Sequence, residues 1–143
     1  MGNRSELTAR DVMTSTFISV SPDETPFTAY AVITKHRIHH LPVITNEGKC
    51  VAMLDAVIAL ARASEGLLHG HVKLIELQGV GTPVYVSLNA PLREIAGQMT
   101  AMCADACCVV DERERMVGLI TARDIVAAVA GRPSGQELSG RSA

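Results

Sequence analysis

The chain has 143 residues and a formal charge of -2, from 13 Lys and Arg against 15 Asp and Glu. That length gives one ordinary domain room for a real core, and the charge balance makes no electrostatic case for nucleic acid or an anionic membrane surface. Hydrophobic residues make up 48% of the chain but aromatics only 3%, with no Trp, so the core must be aliphatic, built from Val, Ile, Leu, Ala and Met.

In chain order, MGNRSELTARDVM is polar and lacks the apolar stretch of a signal peptide. Residues 1–8 read as a flexible lead-in. No window approaches the roughly 18 to 20 uninterrupted apolar residues of a membrane span, so the expectation is a cytoplasmic protein without a membrane partner. FISVSPDETPFTAYAVI (17–33) reads as strand, turn and helix, with SPDETP supplying turn and cap residues and a helix start near Thr25. The helix should end near Arg37, and LPVITNEGKC (41–50) should open a hairpin turning at NEG. KCVAMLDAVIALA (49–61) is strand, short polar break and helix. Residues 63–82 begin with helical composition and end in GVGTP, whose glycines and proline break the element, so they read as a linker.

From there the pattern starts again, 66 residues further on. VYVSLNAPLREIAGQM (84–99) matches 17–33, with a helix start near Pro91. CCVVDERERM (107–116) matches 41–50, turning at ERE, and RMVGLITARDIVAAVA (115–130) matches 49–61. Each half is β-α-β-β-α. The division is a lead-in at 1–8, repeat one at 9–62, linker at 63–82, repeat two at 83–131, and a Gly- and Ser-rich tail at 132–143 that lacks periodicity and reads as disordered.

Cys50, Cys103, Cys107 and Cys108 form no C-x-x-C pair and imply no disulfide framework. Cys107 and Cys108 adjoin VV on a strand, where neighbours point to opposite faces, and read as small core hydrophobes instead of a metal or redox site. In KHRIHHLP, His36 and His40 are four apart, as on one helical face, but the helix end near Arg37 breaks that spacing, and no Cys or carboxylate completes a zinc set. The cluster reads as a solvated basic helix end complementing the helix dipole, with phosphate binding the next reading. No metal site is expected.

Thr121 and Asp124 in GLITARDIV form the Thr-x-x-Asp of a capping box at a helix start. The same corner sets a hydroxyl, a carboxylate and free backbone N–H groups around one point, a chemistry suited to a sugar and a phosphate. There is no G-x-S-x-G, no Walker loop and no H-E-x-x-H, so an enzyme is not expected.

ARDVMTSTFISVSPDETP, HRIHHLPVI and VAMLD in the first half, with VYVSLNAPL and VVDERERMVGLITARDI in the second, resemble a tandem pair of CBS (cystathionine β-synthase) domains, a Bateman module, over about residues 9–131. The resemblance implies an α/β (α+β) fold of two β-α-β-β-α repeats with pseudo-twofold symmetry, standing free of any catalytic domain. It implies a regulatory role: binding AMP, ADP, ATP or S-adenosylmethionine in clefts between the repeats, with no required cofactor, and signalling to an effector protein not named by the sequence. Thr121 and Asp124 match the family's ribose-binding Thr/Ser-x-x-Asp. Met13, Ile18, Ile38, His39 and His40 map to the base pocket, and Arg123 is a candidate phosphate contact. The first repeat has Asp55 and Ile58 at the ribose positions, and the second has Asp105, Ala106, Cys107 and Cys108 where the first has its basic residues and proline. One nucleotide site per chain is therefore expected. Apolar helix faces left over in AVIALA and DIVAAVA imply a homodimer. The other reading is a structural dimerisation module whose ligand pocket is vestigial.

Overall fold

The computed structural model describes residues 6–69, 73, 74 and 82–131, with the side chains of 65–69 excepted. Most of the expected lead-in, half of the linker including the GVG of GVGTP, and the tail beyond Gly131 lie outside the described residues. The described part forms two compact units. Residues up to Phe17 together with those from Val84 make one, and Ile18 to Pro83 make the other. Repeat and compact unit therefore do not coincide over residues 9–17, which lead the first repeat in sequence but fold with the second.

The unit of residues 18–83 starts at Val20, which makes a single parallel bridge to Val43 through Val20 N–H to Pro42 O (3.1 Å) and Ile44 N–H to Val20 O (2.8 Å). The opening strand expected here is reduced to that bridge, because Ser21 and Pro22 turn the chain at once and proline has no N–H to extend a ladder. Helix α2 (Pro26–His36) follows, with Pro26 at its first position and the Thr25 hydroxyl accepting from Thr28 N–H. Strands β1 (Leu41–Ile44) and β2 (Cys50–Leu54) pair antiparallel with an irregularity between Val43 and Ile44. Helix α3 (Ala56–His69) packs on α2. Ala29, Ile33, Leu41, Val43, Ala52, Leu54, Ala59 and Leu74 form the core, an aliphatic set as the composition requires. Leu74 is tied in by its N–H to Glu24 O at 2.8 Å.

The other unit repeats the pattern. Strand β3 (Tyr85–Ser87) runs parallel to β4 (Ala106–Val110), and β4 pairs antiparallel with β5 (Met116–Thr121) in the order β3-β4-β5. Helix α4 (Leu92–Ala101) joins β3 to β4, and α5 (Ala122–Val129) leaves β5 without a gap. The irregularity between Val109 and Val110 falls 66 residues after that between Val43 and Ile44. Strand β4 is buried from Ala106 to Val109, consistent with a strand covered on both faces. Cys107 and Cys108 are fully buried there, and Cys50 is buried on β2, while Cys103 is exposed.

The short helix α1 (Ala9–Val12) completes this unit by backbone pairing. Ala9 N–H donates to Ala90 O (2.9 Å), Arg10 N–H to Leu88 O (3.0 Å), and Thr14 exchanges two 2.9 Å bonds with Leu119 on β5. Ala9 and Val12 enter the core with Val86, Ile95, Cys107, Val109 and Ile120. Among the described residues no helix is long and apolar enough to cross a membrane.

Candidate functional site

The corner where β5 becomes α5 places the chemistry. Thr121 is the N-cap of α5, with extended backbone angles. Its hydroxyl accepts from Asp124 N–H (3.2 Å), while Asp124 Oδ2 accepts from Thr121 N–H (2.8 Å), closing the capping box. Asp124 is only 2% exposed and is the one buried charged side chain among the described residues. Beneath it, burial and then the Asp124 charge push the Cys107 thiol up to about 12, so a neutral thiol lies next to the carboxylate.

Arg123 is exposed on the first turn of α5. Met13, part-buried, follows α1 in the same unit, and its side chain lies over Gly118 on β5 so closely that a Cβ built there would fall 2.8 Å from Met13 Cγ. The unit thus brings together Met13, Thr121, Arg123 and Asp124, with α1 packed on both β5 and α5. Ile18, Ile38, His39 and His40 belong to the other unit. Ile18 is 37% exposed, Ile38 packs against the core there, His39 is exposed, and His40 is part-buried.

The matching corner of the other unit is plainer. Asp55 precedes α3, and its Oδ1 accepts from Ile58 N–H at 2.8 Å. The helix is capped, but no carboxylate stands at the fourth position, because Ile58 occupies it.

The sequence carries the box twice: Thr8-Ala9-Arg10-Asp11 repeats Thr121-Ala122-Arg123-Asp124 letter for letter. Asp11 Oδ2 accepts from Thr8 N–H (2.8 Å) and the Thr8 hydroxyl (3.1 Å), so the same four residues start α1 and α5 in one unit. Asp11 is exposed where Asp124 is buried, and the helix it starts is only four residues long.

Two α/β units of repeated pattern, one ending in a buried Thr-x-x-Asp box, define the class as a duplicated α/β module. The CBS domain model matches residues 9–57 and 80–131, and the chain belongs to the CBS domain family as a tandem pair. The chain is 30% identical over 125 residues to inosine-5'-monophosphate dehydrogenase of Methanocaldococcus jannaschii, covering 82% of this chain and 23% of that protein. It spans about a quarter or less of the length of the curated relatives it matches. Among solved structures, the fold is similar to the CBS domain pair of protein MJ0100 in complex with 5'-methylthioadenosine and S-adenosyl-L-methionine (TM-score 0.71, 21% identity, 89% of this chain and 98% of that one). It is also similar to CBSX2 in complex with AMP (TM-score 0.74, 21% identity, 87% and 96%).

Proposed function

We propose that this CBS pair is a non-catalytic regulatory module of the cytoplasm that takes one adenosine-containing ligand per chain, AMP, ADP, ATP or S-adenosylmethionine, and passes its bound state to an effector protein. The observation that carries this reading is the Thr121–Asp124 box, set against Asp55 and Ile58 at the matching corner. Asp124 accepts from the vicinal ribose hydroxyls, the Thr121 hydroxyl adds a contact beside it, and Arg123 meets phosphate. Met13, Ile18, Ile38, His39 and His40 supply the base pocket. The ligands of the similar CBS pairs support the choice of adenosine compounds. The module acts as a homodimer: α3 leaves Val57 and Leu60 exposed, α5 leaves Val126 and Val129 exposed, and aliphatic helix faces of that kind call for cover. Light scattering at micromolar concentration should give twice the chain mass, and a monomer would defeat that part.

Calorimetric titration with the four ligands tests the site. One site per chain is expected, and Asp124→Asn should weaken binding at least tenfold, since even one charge-assisted bond lost is worth about 1.5 kcal/mol or more. A variant that melts a few degrees lower yet binds as tightly as the parent would leave Asp124 with its cap alone. A second reading has an observation of its own: Asp124 is 2% exposed, as a purely structural carboxylate would be. On that reading the pair is a dimerisation module with a vestigial pocket, and none of the four ligands binds.

A further inference from the structure

The end of α2 carries charge that the fold does not use. No Asp or Glu occurs between Glu24 and Glu47, and within that stretch Lys35, His36 and Arg37 are all exposed. Among the described residues none of the three takes part in a side-chain hydrogen bond or ion pair; the ion pairs there are Lys73–Asp23, Arg93–Glu6 and Arg115–Asp111. The turn that presents them is fixed. Arg37 stands in the left-handed region (φ 54°, ψ 41°) as C-cap, Ile38 N–H reaches back to Ile33 O at 3.2 Å, and Ile38 packs on the core.

Cations in a last helical turn complement the dipole, which would account for them without any partner. The chain contains its own control. Helix α4 ends 66 residues later on the same backbone, with Cys103 left-handed (φ 53°) and Ala104 N–H bonded to Met99 O at 2.8 Å. There Ala101, Met102 and Cys103 stand where Lys35, His36 and Arg37 stand in α2. That helix end forms with no cation at all, so the fold does not require these three.

We propose that Lys35, His36 and Arg37 form a docking surface for an acidic polypeptide segment of a partner protein. A compact phosphate suits the place poorly, because a helix C-terminus presents carbonyls and lacks the backbone N–H groups that cradle one. One turn of cations on a chain of net charge -2 is too short to follow a nucleic-acid backbone. Separate carboxylates on a flexible segment reach separate cations on a fixed turn, which lowers the ordering cost on this side. This inference stands whether or not an adenosine ligand binds.

The test is fluorescence anisotropy of labelled octaglutamate titrated with the full chain at low ionic strength, with circular dichroism confirming that each variant is folded. Saturable binding that added salt weakens is expected. Lys35→Gln with Arg37→Gln should weaken it about three- to tenfold, while Arg93→Gln, a cation already paired with Glu6, and saturating ATP compared at matched ionic strength should leave it unchanged. Four results would overturn the proposal: no saturable binding, an equal loss in Arg93→Gln, displacement by ATP, or tighter binding of octathymidylate than of octaglutamate.

Discussion

At matching corners of the two units, Asp55 and Ile58 stand where Thr121 and Asp124 stand. Both corners start a helix, and both satisfy an orphan N–H of the first turn. A single short polar side chain is enough for that, as Asp55 shows. The second corner caps with a hydroxyl instead and sets its carboxylate three residues further on, buried, which is costly unless it is hydrogen-bonded. At the helix ends the surplus is reversed: α2 carries two cations, Lys35 and Arg37, and a histidine between them that α4 does without. Duplication lets the requirement of the backbone be separated from what each copy adds, and the additions are where function is to be sought.

The largest expected difference between the copies is in alkali. Cys107 corresponds to Leu41, which cannot titrate. The Cys107 thiol goes from 9.0 when unfolded to about 12 when folded, so its neutral form is the one the fold favours. The stability tied to it is fully present below pH 9 and is lost as pH rises from 9 toward 12, because the unfolded chain releases that proton first. The slope is about 1.4 kcal/mol per pH unit in that window. Urea unfolding of the parent and of Cys107→Ala should show the parent losing stability faster above pH 9, with the two curves parallel below it. Curves parallel throughout would mean that the thiol has no such coupling. Since the Asp124 charge is the second cause of the shift, Asp124→Asn should lower the upper end of that pH window while leaving the slope within it unchanged.

Next in size is the contact between Met13 and Gly118. The other unit has Ala52 at the position of Gly118, so the strand itself tolerates a methyl group. At Gly118 a Cβ would fall 2.8 Å from Met13 Cγ and 3.0 Å from Met13 Cβ. Gly118→Ala should therefore cost about 1 to 2 kcal/mol by overpacking, and Met13→Ala in the same chain should recover most of it in a double-mutant cycle. A neutral Gly118→Ala would show that residues 9–17 do not press on this sheet.

How much of this was legible follows from where each signal sits. The repeat, the helix starts at Thr25 and Pro91, the end near Arg37 and the two hairpins are local, carried by caps, turns and apolar runs within a few residues. Thr121 and Asp124 were legible for the same reason. The folding of residues 9–17 with the second repeat was not, because it rests on main-chain bonds from Ala9, Arg10 and Thr14 to Ala90, Leu88 and Leu119, which any side chain permits. Burial of Asp124 was equally hidden, since it depends on what packs around α5 and not on the four letters of the box, as its exposed twin Asp11 demonstrates.

The smallest effect is the one that tests the equivalence of the copies most closely. Arg37 and Cys103 hold nearly the same left-handed angles, φ 54° and 53°, at the ends of α2 and α4. A residue with a Cβ pays roughly 1 to 2 kcal/mol there, and glycine would relieve this while giving back about 0.4 to 1 kcal/mol through its freer unfolded chain. Arg37→Gly and Cys103→Gly should each stabilise the protein by a few tenths of a kcal/mol to about 1 kcal/mol, read as a small rise in the urea midpoint at constant slope. Equal gains would establish that the two helix ends are the same backbone device. A gain at Cys103 with a loss at Arg37 would mean that the guanidinium contributes to folding after all, and the cations of α2 would then need no partner to explain them. With equal gains, Arg37 remains a cation kept at a position where glycine would be more stable, and octaglutamate binding should fall in Arg37→Gly while Cys103→Gly leaves it untouched.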